Sequence, residues 1–508
     1  RATKALGKVI LKQGEEFAKM GVAIAYDCRI MSSEFATMCG QILATMGIKA
    51  YLFDSLRPTP ELSYAVRFYH CAAGINITAS HNPKIYNGYK VYWKEGSQIK
   101  SDIADQILEE ISKIDLLEED NYLSTSRAEE LGLLITINQE VDESFYEKTM
   151  SISLREKEVD KNIGIVYTPL NGTGNIPVRT VLKRMGYTNV HVVKEQENPD
   201  GTFPTIDYPN PEDHAAFALS EELAFKVGAD VLIATDPDCD RLAVEVVHNG
   251  KIQALNGNQV GVLIIDYLLT SMNEKNAIPK NGAIVKSIVT GEMGSEIAKS
   301  YGVKVFNVLT GFKNICALSN EWDHTEEYTY IFGYEESIGY NIGSYLRDKD
   351  GVAATLILAE MAGYYKKLGK TLVDVLNDLY EKYGYYCENT ISIVLEGIEG
   401  QERIQRMMKE YRKKNAGSIG NSKLAQITDY ATSEVTNVIT GEKGITDIEK
   451  TDAVEFRFED GCWYTLRPSG TEPKIKLYIY TKSDTKKAAE DKLQEIEKAV
   501  LDVLNSIK

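Results

Sequence analysis

Short apolar runs that end in polar loops, each followed by a segment with helical spacing, recur through the first 385 or so residues of this sequence. Gly21 to Tyr26 reads as a strand and Asp27-Cys28-Arg29 as a turn. Ser33 is placed to cap a helix carrying Phe35, Met38, Cys39, Ile42 and Met46 at helical spacing, which Gly47 ends. Ala50 to Phe53 is the next strand, Arg57-Pro58-Thr59-Pro60 opens a helix, and Gly74-Ile75-Asn76-Ile77 is a buried strand. Residues 1–20 read as one helix ahead of all this. Strands alternating with helices demand a sheet with a parallel core, because parallel neighbours need crossover connections. The pattern restarts after residue 155: strand 163–167, helix 175–186, a helix from near Pro211 and strand 229–234. It restarts again at 258: helix 258–272, strand 283–288, helix 292–301, strands 303–308 and 328–332, and helix 352–367. From about 388 the rhythm changes to strand 390–395, amphipathic helix 400–413 and paired strands 453–466 and 474–481. A last helix carries Ala489, Leu493, Ile496, Val500, Val503 and Ile507. The expectation is three similar α/β domains with mixed sheets (1–155, 156–257 and 258–387) plus a C-terminal α+β domain (388–508).

Charge and cysteine usage exclude several functions. A net charge of −17 argues against nucleic acid or an anionic membrane as partner, and an anionic small substrate would need a local basic pocket. No window approaches the ~18 uninterrupted apolar residues of a membrane span. Seven scattered cysteines without a CxxC pair predict reduced thiols and a cytoplasmic protein. The six histidines show no metal-ligand spacing. The chain opens at Arg1 in helix-like sequence, with no methionine or signal peptide, so residues upstream are expected.

Four loops carry chemistry. Thr78-Ala79-Ser80-His81-Asn82-Pro83 follows a strand end, where open α/β sheets place ligands. Ser80 there is a candidate for phosphorylation, with His81 beside it to handle a proton; an ordinary Ser/Asn/Pro turn is the plainer alternative. Asp236-Pro237-Asp238-Cys239-Asp240-Arg241 follows the strand Val231–Ala234. Three carboxylates at alternate positions can converge on a hard cation such as Mg²⁺, which takes oxygen ligands, and they repel one another without one; a solvated turn, which Asp and Pro favour, is the plainer alternative. Gly333-Tyr334-Glu335-Glu336-Ser337-Ile338-Gly339 offers Glu335 and Ser337 to sugar hydroxyls, or is a turn. Thr310-Gly311-Phe312-Lys313 and Arg347-Asp348-Lys349-Asp350, each taken alone, read as surface loops. Arg467-Pro468-Ser469-Gly470-Thr471-Glu472-Pro473-Lys474 joins two strands and combines an arginine, two hydroxyls and a glycine-exposed backbone, which suits an oxyanion.

These loops, in this order and spacing along the whole chain, resemble the α-D-phosphohexomutase family. The likeness is nearest to its bacterial phosphoglucomutase/phosphomannomutase branch, which also resembles phosphopentomutases. The resemblance implies four domains round a central cleft, each lending one loop. It implies that Ser80 carries the phosphoryl group and contributes an oxygen to a Mg²⁺ ion held by Asp236, Asp238 and Asp240. Glu335 and Ser337 would read sugar hydroxyls, and Arg467, Ser469, Gly470 and Thr471 would hold the non-reacting phosphate. Arg241, Thr310 and Lys349 would be further substrate contacts, Lys349 sharing proton transfer with His81. The family's Gly-Thr-Ala/Ser-Gly-Leu-Arg type motif, whose arginine contacts the active site, has no match here. Asn171 stands where close relatives often carry histidine, and Cys239 lies between two ligands without binding itself.

The activity so implied interconverts hexose 1-phosphate and hexose 6-phosphate, with glucose as the expected sugar and mannose or a pentose as alternatives. Phospho-Ser80 would donate to the free hydroxyl, and glucose 1,6-bisphosphate would be intermediate and activator. A monomer or weak dimer is expected. Two rivals from other classes are a serine-dependent metal phosphohydrolase, against which the 467–474 loop speaks, and a non-catalytic sugar-phosphate-binding protein.

Overall fold

The computed structural model describes residues 1–115, 121–470 and 473–507. The chain falls into two compact units. One comprises Arg1–Lys286, Ala298–Phe306 and Gly311–Val375; the other comprises Ser287–Ile297, Asn307–Thr310 and Leu376–Lys508.

The first sheet contains β1 (Val22–Tyr26), β2 (Ala50–Phe53), β3 (Ala73–Ile77), β4 (Tyr89–Trp93) and β5 (Leu134–Ile137) in the order β4-β3-β1-β2-β5. Only β4 runs antiparallel to its neighbour. β3 is buried along its whole length, and so reads as a continuous apolar run rather than an alternating one. The second sheet has β6 (Ile165–Thr168), β7 (Val190–Val192), β8 (Val231–Thr235), β9 (Leu242–His248) and β10 (Lys251–Leu255), ordered β10-β9-β8-β6-β7. The third has β11 (Gly282–Ser287), β12 (Lys304–Val308), β13 (Thr329–Glu335) and β14 (Gly339–Ile342), ordered β12-β11-β13-β14. Each has a parallel centre and an antiparallel edge, so all three are mixed.

The last sheet is different. β15 (Tyr385–Val394), β16 (Leu424–Asp429), β17 (Glu434–Asn437), β18 (Lys443–Ile445), β19 (Val454–Phe458), β20 (Trp463–Pro468) and β21 (Lys474–Ser483) pair antiparallel throughout, in the order β15-β21-β20-β19-β16-β17-β18. Met407, Met408 and Tyr411 of the helix Gly397–Lys413 and Ile496, Val500 and Leu504 of the helix Lys486–Ser506 share one core with Phe456, Tyr464 and Leu477. Three α/β domains with mixed sheets and a C-terminal α+β domain are therefore present, as the alternation predicts. Among the described residues, no helix is long and apolar enough to cross a membrane.

Several elements differ from the sequence reading. The helix expected over 1–20 is two, Ala2–Lys12 and Glu15–Lys19, because Gly14 takes φ 109° between them. Ser33 does not cap the third helix. Met31 holds the cap position, and the adjacent Ser32 hydroxyl donates to Asp27 Oδ1 at 2.8 Å. The helix expected from Pro211 starts at Ala218, behind a 3-10 turn at His214–Phe217. The single strand expected over 453–466 is a hairpin, β19 and β20, which turns at Gly461 with φ 82°. β16 to β18 carry no long apolar run, so periodicity alone did not reveal them.

Candidate active site

β3 and β4 form a hairpin whose connection, residues 78–88, carries Ser80. Ser80 is nearly buried and takes a left-handed backbone, φ 52°. That conformation costs a non-glycine residue about 1–3 kcal/mol, so its surroundings must hold it there. Arg29 does so. Its guanidinium donates to the carbonyls of Ser80 (2.6 Å), Asn82 (2.5 Å), Pro83 (3.0 Å) and Tyr86 (2.9 Å), and pairs with Asp27 at 3.2 Å. The Ser80 amide donates to Thr78 Oγ1 at 2.9 Å. In the sequence Arg29 reads only as part of a turn, and nothing local signals that its side chain spans some fifty residues to organise a loop. Arg29→Lys is expected to destabilise the fold by about 2–4 kcal/mol, because one ammonium cannot replace a fork that serves four carbonyls. Urea unfolding of this variant, with its activity measured alongside, checks this; an unchanged midpoint with full activity would refute the role.

The acidic loop follows β8 directly, and its three carboxylates are buried. The Ser80 hydroxyl donates to Asp236 Oδ2 at 2.7 Å, while Asp236 Oδ1 accepts the Asp240 and Arg241 amides at 3.1 and 3.0 Å. Asp238 Oδ2 accepts from the Thr59 hydroxyl and from Lys90 Nζ, both at 2.7 Å. Asp240 Oδ2 lies 3.2 Å from Lys349 Nζ and 3.4 Å from Lys90 Nζ. Lys90 and Lys349 thus supply part of the neutralisation that the sequence argument assigned to a cation alone. Alternation along β4 reads as a solvent face for the Lys90 side chain, so nothing in the sequence signals this pairing.

Electrostatics separates the three carboxyls. Burial, together with the Asp238 and Asp240 charges, raises Asp236. Asp238 is held low: burial opposes its charge, but Lys90 and the hydroxyl of Thr59 outweigh it. Burial also works against charge on Lys349, yet Asp240 and Asp348 keep its ammonium above the ordinary value. His81 lies with Nδ1 3.3 Å from Ser80 Oγ, and burial, reinforced by Arg241, pulls it down to about 2, so the ring is neutral.

Asp238 Oδ1 and Asp240 Oδ1 are buried with no hydrogen-bond partner, and ligand atoms of Asp236, Asp238 and Asp240 lie within 4.8 Å of one another. Buried anionic oxygens left without donors fit a hard divalent cation.

The loop expected at the surface, Arg347–Asp350, is buried instead. Asp348 accepts from Tyr92 and Gln98 at 2.7 and 3.0 Å, and Asp350 caps the helix Gly351–Lys367 through the Val352 and Ala353 amides. Gly351 is required where it stands, since a Cβ would meet the Cys239 carbonyl at 2.7 Å. Beside the acidic loop, the Leu242 amide donates to Ile338 O at 3.1 Å, and Ile338 also has a left-handed backbone, φ 55°. Glu335 Oε1 accepts the Gly311 amide at 2.5 Å, and Ser337 is half-buried. Asn171, also left-handed, donates to Asn198 O at 2.8 Å and so anchors the loop that follows.

Ser80, His81, Asp236, Asp238, Asp240, Arg241, Glu335, Ser337 and Lys349 all belong to the first unit. Thr310, Arg467, Ser469 and Gly470 belong to the second. There Arg467 on β20 is half-buried opposite Lys476 on β21, and the Ser469 amide donates to Lys474 O at 2.8 Å. Thr471 lies outside the described residues.

Four family models match along the chain. They describe phosphoglucomutase/phosphomannomutase alpha/beta/alpha domain I (residues 1–118), domain II (143–250), domain III (256–383) and C-terminal domain (420–498). A phosphoglucomutase of Staphylococcus saprophyticus is 36% identical over 462 residues, covering 90% of this chain and 82% of the relative. One of Staphylococcus aureus is 36% identical over 475 residues, covering 91% and 82%. The crystal structure of parafusin, a phosphoglucomutase of Paramecium, superposes with a TM-score of 0.70 at 17% identity, covering 99% of this chain and 90% of that one. A phosphoglucomutase/phosphomannomutase family protein of Burkholderia thailandensis gives the same TM-score at 16% identity, covering 100% and 93%. With all four domains matched in order and an identity this high over nine tenths of its length, the chain belongs to the phosphoglucomutase/phosphomannomutase family.

Proposed function

We propose that this protein is an intramolecular phosphotransferase that interconverts glucose 1-phosphate and glucose 6-phosphate, with Ser80 as the phosphoryl carrier. One observation carries the reading. A strained, arginine-clamped serine donates to one of three buried carboxylates, two of which have oxygens without donors. The phosphoglucomutase relatives support glucose as the sugar.

Asp236, Asp238 and Asp240 would hold Mg²⁺, which supplies charge neutralisation and polarises the phosphoryl group when bound. The chain's own residues do the rest. Phospho-Ser80 gives its phosphoryl group to the free hydroxyl of a hexose monophosphate: the bond from Ser80 Oγ to phosphorus breaks, the sugar oxygen bonds to phosphorus, and the sugar hydroxyl's proton passes to the neutral imidazole of His81. Glucose 1,6-bisphosphate is thereby formed, and the other phosphoryl group returns to Ser80. Lys349 already holds its proton and serves as acid toward Ser80 Oγ as that oxygen leaves. Neutral His81 orients Ser80 through Nδ1. Arg241, Thr310, Glu335 and Ser337 bind the sugar, and Arg467, Ser469, Gly470 and Thr471 hold the phosphate that does not react.

A coupled assay of glucose 1-phosphate conversion, with inorganic phosphate release measured alongside, tests this. Conversion without release is expected; release without conversion identifies a hydrolase, and neither identifies a binding protein. Two variants divide the roles in the same assay. Arg467→Ala is expected to lower kcat/KM roughly 10- to 150-fold for glucose and mannose 1-phosphates alike, because a guanidinium–phosphate contact contributes about 1.5–3 kcal/mol and both sugars carry the phosphate. Glu335→Gln should instead change the ratio between the two sugars, which differ in one hydroxyl. The opposite pattern would reverse the assignments.

A further inference from the structure

β9 buries a carboxylate that phosphoryl transfer does not use. Glu245 is 1% exposed, and its Oε2 has no hydrogen-bond partner. Its Oε1 lies 3.2 Å from His214 Nδ1, and Glu221 Oε1 lies 3.5 Å from the same nitrogen. One ligand atom from each of His214, Glu221 and Glu245 lies within 4.8 Å of the others. Three separate elements contribute: the 3-10 turn His214–Phe217, the helix Ala218–Val227 and β9. The histidines show no metal-ligand spacing in the sequence, because only the packing of the turn and helix against the sheet brings Glu245 to His214.

Two carboxylates turned toward each other, one of them fully buried, are costly unless a cation or a proton stands between them. Burial, and then the Glu221 charge, push Glu245 up to about 7. A proton satisfies one oxygen only. One imidazole nitrogen cannot donate to both carboxylates equally well, and the orphaned Oε2 still lacks a donor. A divalent ion would satisfy all three side chains together. The donor set, one imidazole and two carboxylates, differs in kind from the all-oxygen acidic loop and suits a borderline transition ion rather than Mg²⁺. The exposed side of His214 leaves room for a water as fourth ligand, as tetrahedral Zn²⁺ requires.

We propose that His214, Glu221 and Glu245 form a second, transition-metal site, best matched to Zn²⁺ and separate from the acidic loop. Such an ion ties the end of the 198–213 loop to the sheet. That loop carries Tyr208, whose ring packs edge-on against His81 with centroids 5.9 Å apart. The site therefore acts as a clip on the loop that backs the residue next to Ser80.

The test uses the full chain, stripped with a chelator and held in millimolar Mg²⁺ so that the acidic loop is saturated. Titration with Zn²⁺ is expected to show one equivalent bound, and Co²⁺ in its place should give the visible absorption of a nitrogen-ligated ion. His214→Ala, at an exposed position that tolerates alanine, should weaken binding by about 100-fold or more, and Glu245→Gln similarly. Asp238→Asn should leave it intact. Zn²⁺ should also slow amide exchange in residues 204–213 of the wild type but not of His214→Ala. Absence of stoichiometric binding in Mg²⁺ overturns the proposal. So does binding that His214→Ala leaves unchanged or that Asp238→Asn abolishes.

Discussion

Ser80→Ala is expected to lower mutase turnover by about 10⁴-fold or more, the scale on which enzymes lose rate when a nucleophile is removed. The substitution isolates chemistry from structure. Alanine keeps the Cβ, so the left-handed strain at φ 52° persists, and the Arg29 clamp acts on backbone carbonyls that remain in place. What disappears is the hydroxyl that donates to Asp236. Ser80→Gly is the complement: it relieves the backbone strain yet should be equally inactive. Peptide mapping should find phosphate on the Ser80 peptide of the wild type and on neither variant. If Ser80→Ala retains near-full conversion of glucose 1-phosphate, the phosphoryl carrier is another residue.

The second large effect belongs to Asp238. Asp238→Asn keeps the size of the side chain and removes one charge from the acidic loop. Metal affinity, measured as the Mg²⁺ dependence of turnover, is expected to fall by about 100-fold or more, exceeding the loss typical of changes one shell further out. The structure adds a cost that the spacing of the aspartates does not disclose. Asp238 also accepts from Lys90 and Thr59 at 2.7 Å, so the amide weakens a buried, charge-assisted pair. A stability loss of about 1.5–3 kcal/mol should accompany the kinetic effect. Lys90→Met separates the two: it should cost stability while leaving the Asp238 carboxylate available to the ion. Unchanged Mg²⁺ dependence in Asp238→Asn would remove this residue from the metal site.

Much of the fold was legible in the chain because its signals are local. The apolar run Ala73–Ile77 reads as a buried strand since both of its faces are covered, and the alternation of such runs with helical spacing leaves few arrangements other than mixed α/β sheets. The short, half-exposed β16 to β18 carry no such run and went unseen, as did the break at Gly14, where one residue's backbone freedom outweighs an otherwise helical pattern.

The candidate site divides in the same way. Ser80, the three aspartates, Glu335 and Arg467 are recognisable because they stand in dense motifs at strand ends, where the chemistry is written in consecutive residues. Arg29, Lys90, Asp348 and the His214–Glu221–Glu245 group are not, because each acts on residues far away in the chain. Arg29 clamps carbonyls more than fifty positions downstream, Lys90 reaches Asp238 across 148 positions, and Asp348 accepts from Tyr92 across 256. The sequence by itself determined which elements form and which loops carry reactive groups, since hydrophobic period and motif spacing act over a few residues. Only the tertiary structure decided which charges meet, because burial and ion pairing depend on distance in space, and chain separation carries no record of that distance.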